Sequence, residues 1–98
     1  MTLKEMSEAF KKHFDEEFIK FDRVTNKATN KADLHGFLIL DRLDPESTSV
    51  LGSAGADEVF LHTSPDAVLD KITEADIIDL LRCGISYNEG YESFYIFV

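Results

Sequence analysis

Leu3, Met6, Phe10, Phe14, Phe18 and Phe21 recur at steps of three and four residues, and this spacing constrains the fold more than any other feature of the chain. Apolar residues three and four apart share one face of an α-helix, so the stretch predicts an amphipathic helix that must bury its stripe against something. Thr2 with Glu5 three residues later is a capping box, in which hydroxyl and carboxylate each satisfy a free backbone N–H at the helix start. Together these signals predict one helix over residues 3–22. The stripe itself reads as core. The competing reading leaves Phe14 and Phe18, with Tyr87, Tyr91 and Tyr95, exposed as a partner or dimer surface, because aromatic side chains are enriched at interface cores.

Residues 23–31 carry no apolar pattern and read as a loop. Asn30 with Asp33 is placed to cap a second helix that carries Leu34, Phe37, Leu38 and Leu43 and ends before Pro45. The run Phe37–Leu40 is also compatible with a strand, but helix is preferred. A Ser-, Gly- and Ala-rich loop over Glu46–Ala56 holds a short extended piece at Val50–Leu51. A strand follows at Glu58–His62, with Val59 and Leu61 on one face and Phe60 on the other. Ser64-Pro65 marks the start of a short helix over Asp66–Ile72. Thr73 with Asp76 caps another, which runs through Ile77, Ile78 and Leu81 and stops at Gly84.

Ile85–Tyr87 and Ser93–Val98 are apolar pieces joined by a polar loop, the composition of a β-hairpin. In the second piece Phe94, Ile96 and Val98 alternate with Tyr95 and Phe97. Both faces are therefore apolar, and the strand must be central in its sheet or covered on both sides. The whole order predicts a single α+β domain over residues 1–98. Its sheet is three- or four-stranded and mainly antiparallel, with the N-terminal helix and further short helices packed on one face.

Charge divides the chain in two. Residues 1–43 hold eight acids and eight bases, whereas residues 44–98 hold eleven acids against only Lys71 and Arg82, so the net charge of −9 lies wholly in the second part. Such a field opposes direct binding to nucleic acid or to an anionic membrane and attracts basic protein surfaces. Asp66, Asp70, Glu74, Asp76 and Asp79 concentrate it on two successive short helices. They are the candidate partner-binding residues, as carboxylates spaced along helices that imitate a phosphate backbone at a basic site; the plain alternative is a solvated, solubilising face. No run approaches the ~18 apolar residues of a membrane span, the N-terminus lacks the apolar core of a signal peptide, and a lone Cys83 suits a reducing compartment. The expected location is the cytoplasm.

Catalytic patterns are sparse. No glycine-rich phosphate loop, nucleophile elbow, HExxH or paired-cysteine motif occurs, and neither a cofactor nor a metal is expected. Cys83 falls at a helix C-terminus, where the negative end of the macrodipole raises a thiol pKa, so it reads as a buried structural cysteine. His13 is expected to pair with Glu17 one turn on. A metal-dependent or acid/base enzyme built on His35, His62 and acids near Asp57 is the alternative from another class, and a structural protein that dimerises through the Phe-rich helix is a third.

The segments Ala32–Asp41 (ADLHGFLILD), Asp57–Leu61 (DEVFL), Ile78–Ile85 (IDLLRCGI) and Phe94–Val98 (FYIFV) resemble short acidic proteins of phage and mobile-element type that carry no assigned activity. The resemblance covers residues 32–98 and leaves out the first helix. It implies a non-catalytic binder that inhibits a host nucleic-acid-handling or defence complex in a bacterial cell, as anti-CRISPR proteins do. It assigns no role to individual residues.

Overall fold

In a computed structural model that describes residues 1–98, α1 spans Leu3–Glu17, α2 Ala32–Leu43, β1 Leu51–Ala54, β2 Glu58–Leu61, α3 Pro65–Val68, α4 Glu74–Arg82, β3 Ile85–Asn88 and β4 Ser93–Phe97. The strands form one antiparallel sheet in the order β1-β2-β4-β3. The doubly apolar last strand is thus central, as its alternation requires. Val59 and Ile85 both pair with Ile96, and Phe60 and Ser86 both pair with Tyr95. The side-chain period of two then sorts the sheet into two faces. Ile85, Tyr87, Phe94, Ile96 and Leu61 point inward and are buried, with Phe94 and Ile85 fully enclosed. Glu58, Phe60, Ser86, Ser93, Tyr95 and Phe97 point outward.

The helices supply the other half of the core. Met6 and Phe10 of α1, Leu40 and Leu43 of α2, and Ile77, Leu80 and Leu81 of α4 join the inward strand residues in one hydrophobic cluster. Phe10 meets Phe94 edge-on at 6.0 Å between ring centres and Tyr87 at 6.4 Å. α2 seats against the α4–β3 corner through Gly36, where a Cβ would lie 2.6 Å from the Ile85 Cδ1. Both capping boxes form in both directions. Glu5 N–H donates to the Thr2 hydroxyl at 3.1 Å and Thr2 N–H to the Glu5 carboxylate at 2.8 Å; Asp76 and Thr73 repeat the arrangement at 3.1 and 3.0 Å. α4 stops at Gly84, whose φ of +84° is a conformation glycine adopts without steric cost. No helix is long and apolar enough to cross a membrane.

Four local expectations are corrected. α1 ends at Glu17, five residues early. Phe18 is extended, Ile19 is left-handed at φ 62°, and Phe21–Arg23 forms a 3-10 turn. The carbonyl of Leu81 accepts the Ile19 N–H at 3.0 Å, so a tertiary hydrogen bond replaces the helical one. α2 has Lys31 at its N-cap with no side-chain cap, and the Asp33 carboxylate accepts from Leu34 N–H at 2.9 Å. α3 is one regular turn, Pro65–Val68, after which the Val68 carbonyl accepts from both Lys71 N–H at 3.0 Å and Ile72 N–H at 2.8 Å, and the chain leaves the helix with Val68 and Ile72 both buried. The extended piece near Val50 lengthens into β1, which pairs Leu51 with Leu61 and Ala54 with Val59 across a bulge.

The two faces should respond differently to truncation. Phe94→Ala empties a fully buried site and should lower the unfolding free energy in urea titrations by about 3–5 kcal/mol. Phe97→Ala, on the outward face, should cost no more than about 1 kcal/mol.

Candidate functional site

The five acids singled out from the sequence do not form one free surface. Glu74 accepts from His13 Nε2 at 3.1 Å, with Lys12 Nζ at 3.7 Å. Asp76 serves the α4 capping box and also pairs with Arg42 at 2.6 Å. Asp79 pairs with Arg82 at 3.3 Å. Only Asp66 and Asp70 are exposed and outside any ion pair. Bases of the first 43 residues therefore reach across to neutralise acids of the second part, and Lys11 does the same to Glu89 at 2.6 Å. The reverse contact is made at Glu17, which receives Arg82 and Arg23, each at 3.2 Å, instead of the expected His13.

These pairings set the carboxyl chemistry. At Glu17 burial opposes ionisation, but the Arg82 and Arg23 hydrogen bonds outweigh it and hold the carboxyl below its ordinary value of 4.5. The His13 hydrogen bond and the Lys12 charge do the same for Glu74, and Lys11 for Glu89. Cys83 caps α4 and is 5% exposed. Burial, with the Asp79 and Asp33 charges, pushes its thiol up to about 12, so it stays protonated and unreactive near neutral pH. His35 is buried beside Phe21, and its Nδ1 accepts Ala28 N–H at 3.2 Å. His62 lies exposed just past β2, and no three His, Cys, Asp or Glu side chains converge to hold a metal ion.

Four of the five candidate interface aromatics do come together. Tyr87 is the exception. It faces inward between Phe10 and Phe94, is 8% exposed, and has its phenol pKa raised by burial and then by Glu92, Glu89 and Asp66. Tyr95 and Phe97 stand side by side on the outward face of β4. Tyr91, in the β3–β4 loop, packs edge-on against Phe60 at 5.2 Å. Phe14 of α1 and Phe18 just past its end contribute from the side: both are half-buried and pack against the core, as expected for the stripe, yet they also stack on each other at 4.4 Å, and Phe18 meets Phe97 edge-on at 6.2 Å. Phe60 and Phe97 were not singled out from the sequence, although the alternation of the last strand puts Phe97 on the same face as Tyr95.

This outward face lies opposite the helices and is open. Tyr91 is 73% and Phe97 51% exposed. Its charged neighbours are acidic: Glu58 pairs in register with Phe97, and Asp57 precedes it in the chain, its carbonyl accepting Val98 N–H. Between α1 and β3, Phe14, Asp15, Ser86 and Tyr95 line a cleft of about 300 Å³, with Phe10 and Tyr87 at its base and Lys11 at its rim. Chemically, the face offers π-surfaces, carboxylates and backbone edges. No family model, no curated protein and no solved structure matches the chain.

Two outcomes follow from the titrating groups. Glu17, Glu74 and Glu89 have lower pKa values folded than unfolded, so their stabilisation is complete above 4.5 and is lost as pH falls through their folded values. Urea midpoints should be flat from about pH 7 to about pH 5 and drop below that, and Glu17→Gln should begin lower and fall less. The Cys83 thiol should resist iodoacetamide at about pH 8 in the native protein and alkylate fully in urea.

Proposed function

We propose that this chain is a non-catalytic protein-interaction module whose partner is a basic protein surface, engaged through the open aromatic face of the sheet. One observation carries the reading: Phe60, Tyr91, Tyr95 and Phe97 share a face that the helices leave uncovered, bordered by Asp57 and Glu58, neither of which has an ion-pair partner. Exposed aromatic patches of this kind are interaction surfaces more often than surface noise, and aromatic residues dominate binding energy at interface centres. Asp66 and Asp70, free of internal pairing, add to the long-range field that steers a basic partner.

Nucleic-acid bases also stack on aromatic side chains, but their phosphates would lie among Asp57, Glu58 and a net charge of −9. A homodimer through the same face would press together two surfaces that each carry Asp57 and Glu58, and like charge opposes it. A basic protein avoids both costs. The resemblance of residues 32–98 to acidic phage-type proteins makes a host nucleic-acid-handling or defence complex the kind of target, because such complexes expose basic surface, and makes inhibition by occupation the mode of action.

Pull-down from bacterial lysate at low ionic strength should recover a basic protein whose retention falls with added salt and drops at least about tenfold with the Tyr91→Ser/Phe97→Ser double variant. A partner retained equally by that folded variant removes the reading. Sedimentation across a concentration range should show a monomer; a dimer dissolved by the same double variant would transfer the face to self-association.

A further inference from the structure

We infer that the cleft between α1 and β3 is a receptor for a single arginine side chain of the basic partner. The inference rests on the interaction reading above and specifies its anchor. Three features of the cleft converge on a guanidinium.

Its walls are aromatic. Phe14 stands on the helix side, backed by its 4.4 Å stack on Phe18, and Tyr95 stands on the strand side. A planar cation inserted between such rings gains both stacking and the attraction of the ring quadrupoles. Its mouth carries a free carboxylate. Asp15 follows Lys11 by one helical turn, the usual spacing for an internal ion pair. Lys11 instead turns away and lies 2.6 Å from Glu89, which the Ser7 hydroxyl also contacts at 3.3 Å. Lys11 is therefore already neutralised, and Asp15 is left with no partner. Its wall also holds a polar group open to the cleft: Ser86 as a whole is only 4% exposed, but its hydroxyl makes no hydrogen bond within the chain and is not sealed from solvent.

These features discriminate among occupants. An apolar side chain would fill the volume but would strip water from Asp15 and Ser86 without replacing its hydrogen bonds, a cost of roughly 1–3 kcal/mol per group. An anion meets Asp15. A lysine ammonium satisfies Asp15 as a point charge but has no plane to lay against Phe14 and Tyr95. A guanidinium has donors for both the carboxylate and the hydroxyl and a flat face for the rings. The volume of about 300 Å³ is at the small end of ligand sites, which suits one side chain and excludes a folded segment.

The probe is N-acetyl-arginine-N-methylamide, titrated into the ¹⁵N-labelled full chain and followed by amide shifts, beside the citrulline, lysine and leucine analogues. Expected are saturable shifts centred on Phe14, Asp15, Ser86 and Tyr95, with binding at least about fivefold weaker for citrulline, which is isosteric but uncharged, and for Asp15→Asn with arginine. Lysine should fall between arginine and citrulline, and leucine should give no saturable shift. The inference is overturned if arginine gives no saturation, if leucine or citrulline matches it, or if Asp15→Asn binds as wild type. Tyr95→Leu, which keeps a strand-compatible apolar side chain, should also weaken arginine. The two readings fail separately. Arginine binding with no loss of the lysate partner in Tyr91→Ser/Phe97→Ser leaves the cleft and removes the wider face, whereas the converse result leaves the face and removes the anchor.

Discussion

Everything else in this fold depends on where β4 sits. A strand that is apolar on both faces has to be flanked by strands on both sides, and β2 and β3 provide that. It then needs cover above and below. The helices cover only one side, where Phe94 and Ile96 are sealed beneath Phe10 and α4. The helices form a single layer on that side, so Tyr95 and Phe97 receive only the lateral shelter of Phe14 and Phe18. The open aromatic face is thus the direct consequence of combining a central-type strand with a two-layer architecture. A sequence selected only to fold would place polar residues at positions 95 and 97, as half-buried antiparallel strands ordinarily do.

The charge division along the chain has a structural meaning that bulk composition conceals. The balanced first part and the acidic second part are not separate electrostatic bodies. Lys11, Lys12, His13 and Arg42 cross to Glu89, Glu74 and Asp76, and Arg82 crosses back to Glu17. Most of these pairs are at least partly exposed, and such pairs add little to stability individually. Their larger effect is on register: each fixes α1 or α2 against α4 or the β3–β4 loop, and together they decide which acids are left free. The free ones include Asp15, Asp57, Glu58, Asp66 and Asp70, and three of these lie around the open face and its cleft.

Much of this was legible in the sequence for reasons that can be named. Capping boxes, the α4–Gly84 stop and the alternation of β4 are local signals, and local geometry honoured them. The face of Phe14, Phe18, Tyr91 and Tyr95 was within reach because aromatic residues in excess of core need have few other uses. The acidic cluster misled because linear proximity shows neither that Arg42 lies beside Asp76 nor that His13 lies beside Glu74; those are contacts between residues 34 and 61 positions apart. Tyr87 was misplaced for a related reason. Its pairing with Phe94, not its residue type, sends it inward. The cleft could not be read at all, since it exists only where α1 passes the β3 edge.

The early end of α1 ties these threads together. Apolar periodicity alone would carry the helix on to Phe21, and Phe18 would then continue down the stripe toward α4. Instead the chain breaks at Phe18 and places a β-branched residue, Ile19, in the left-handed region, a conformation that costs of order 1–3 kcal/mol. Two contacts offset that strain: the Leu81 carbonyl takes the Ile19 N–H, and Glu17 is clamped between Arg82 and Arg23. The break turns Phe18 toward Phe97, which closes one end of the aromatic face and props Phe14 at the side of the cleft. The shape of the open surface is therefore maintained by a carboxylate that does not lie on it. Such strain is held in place by the surrounding structure at the border of the exposed surface it shapes, while Phe14 and Phe18 also extend the core that Met6 and Phe10 enter two to three turns earlier.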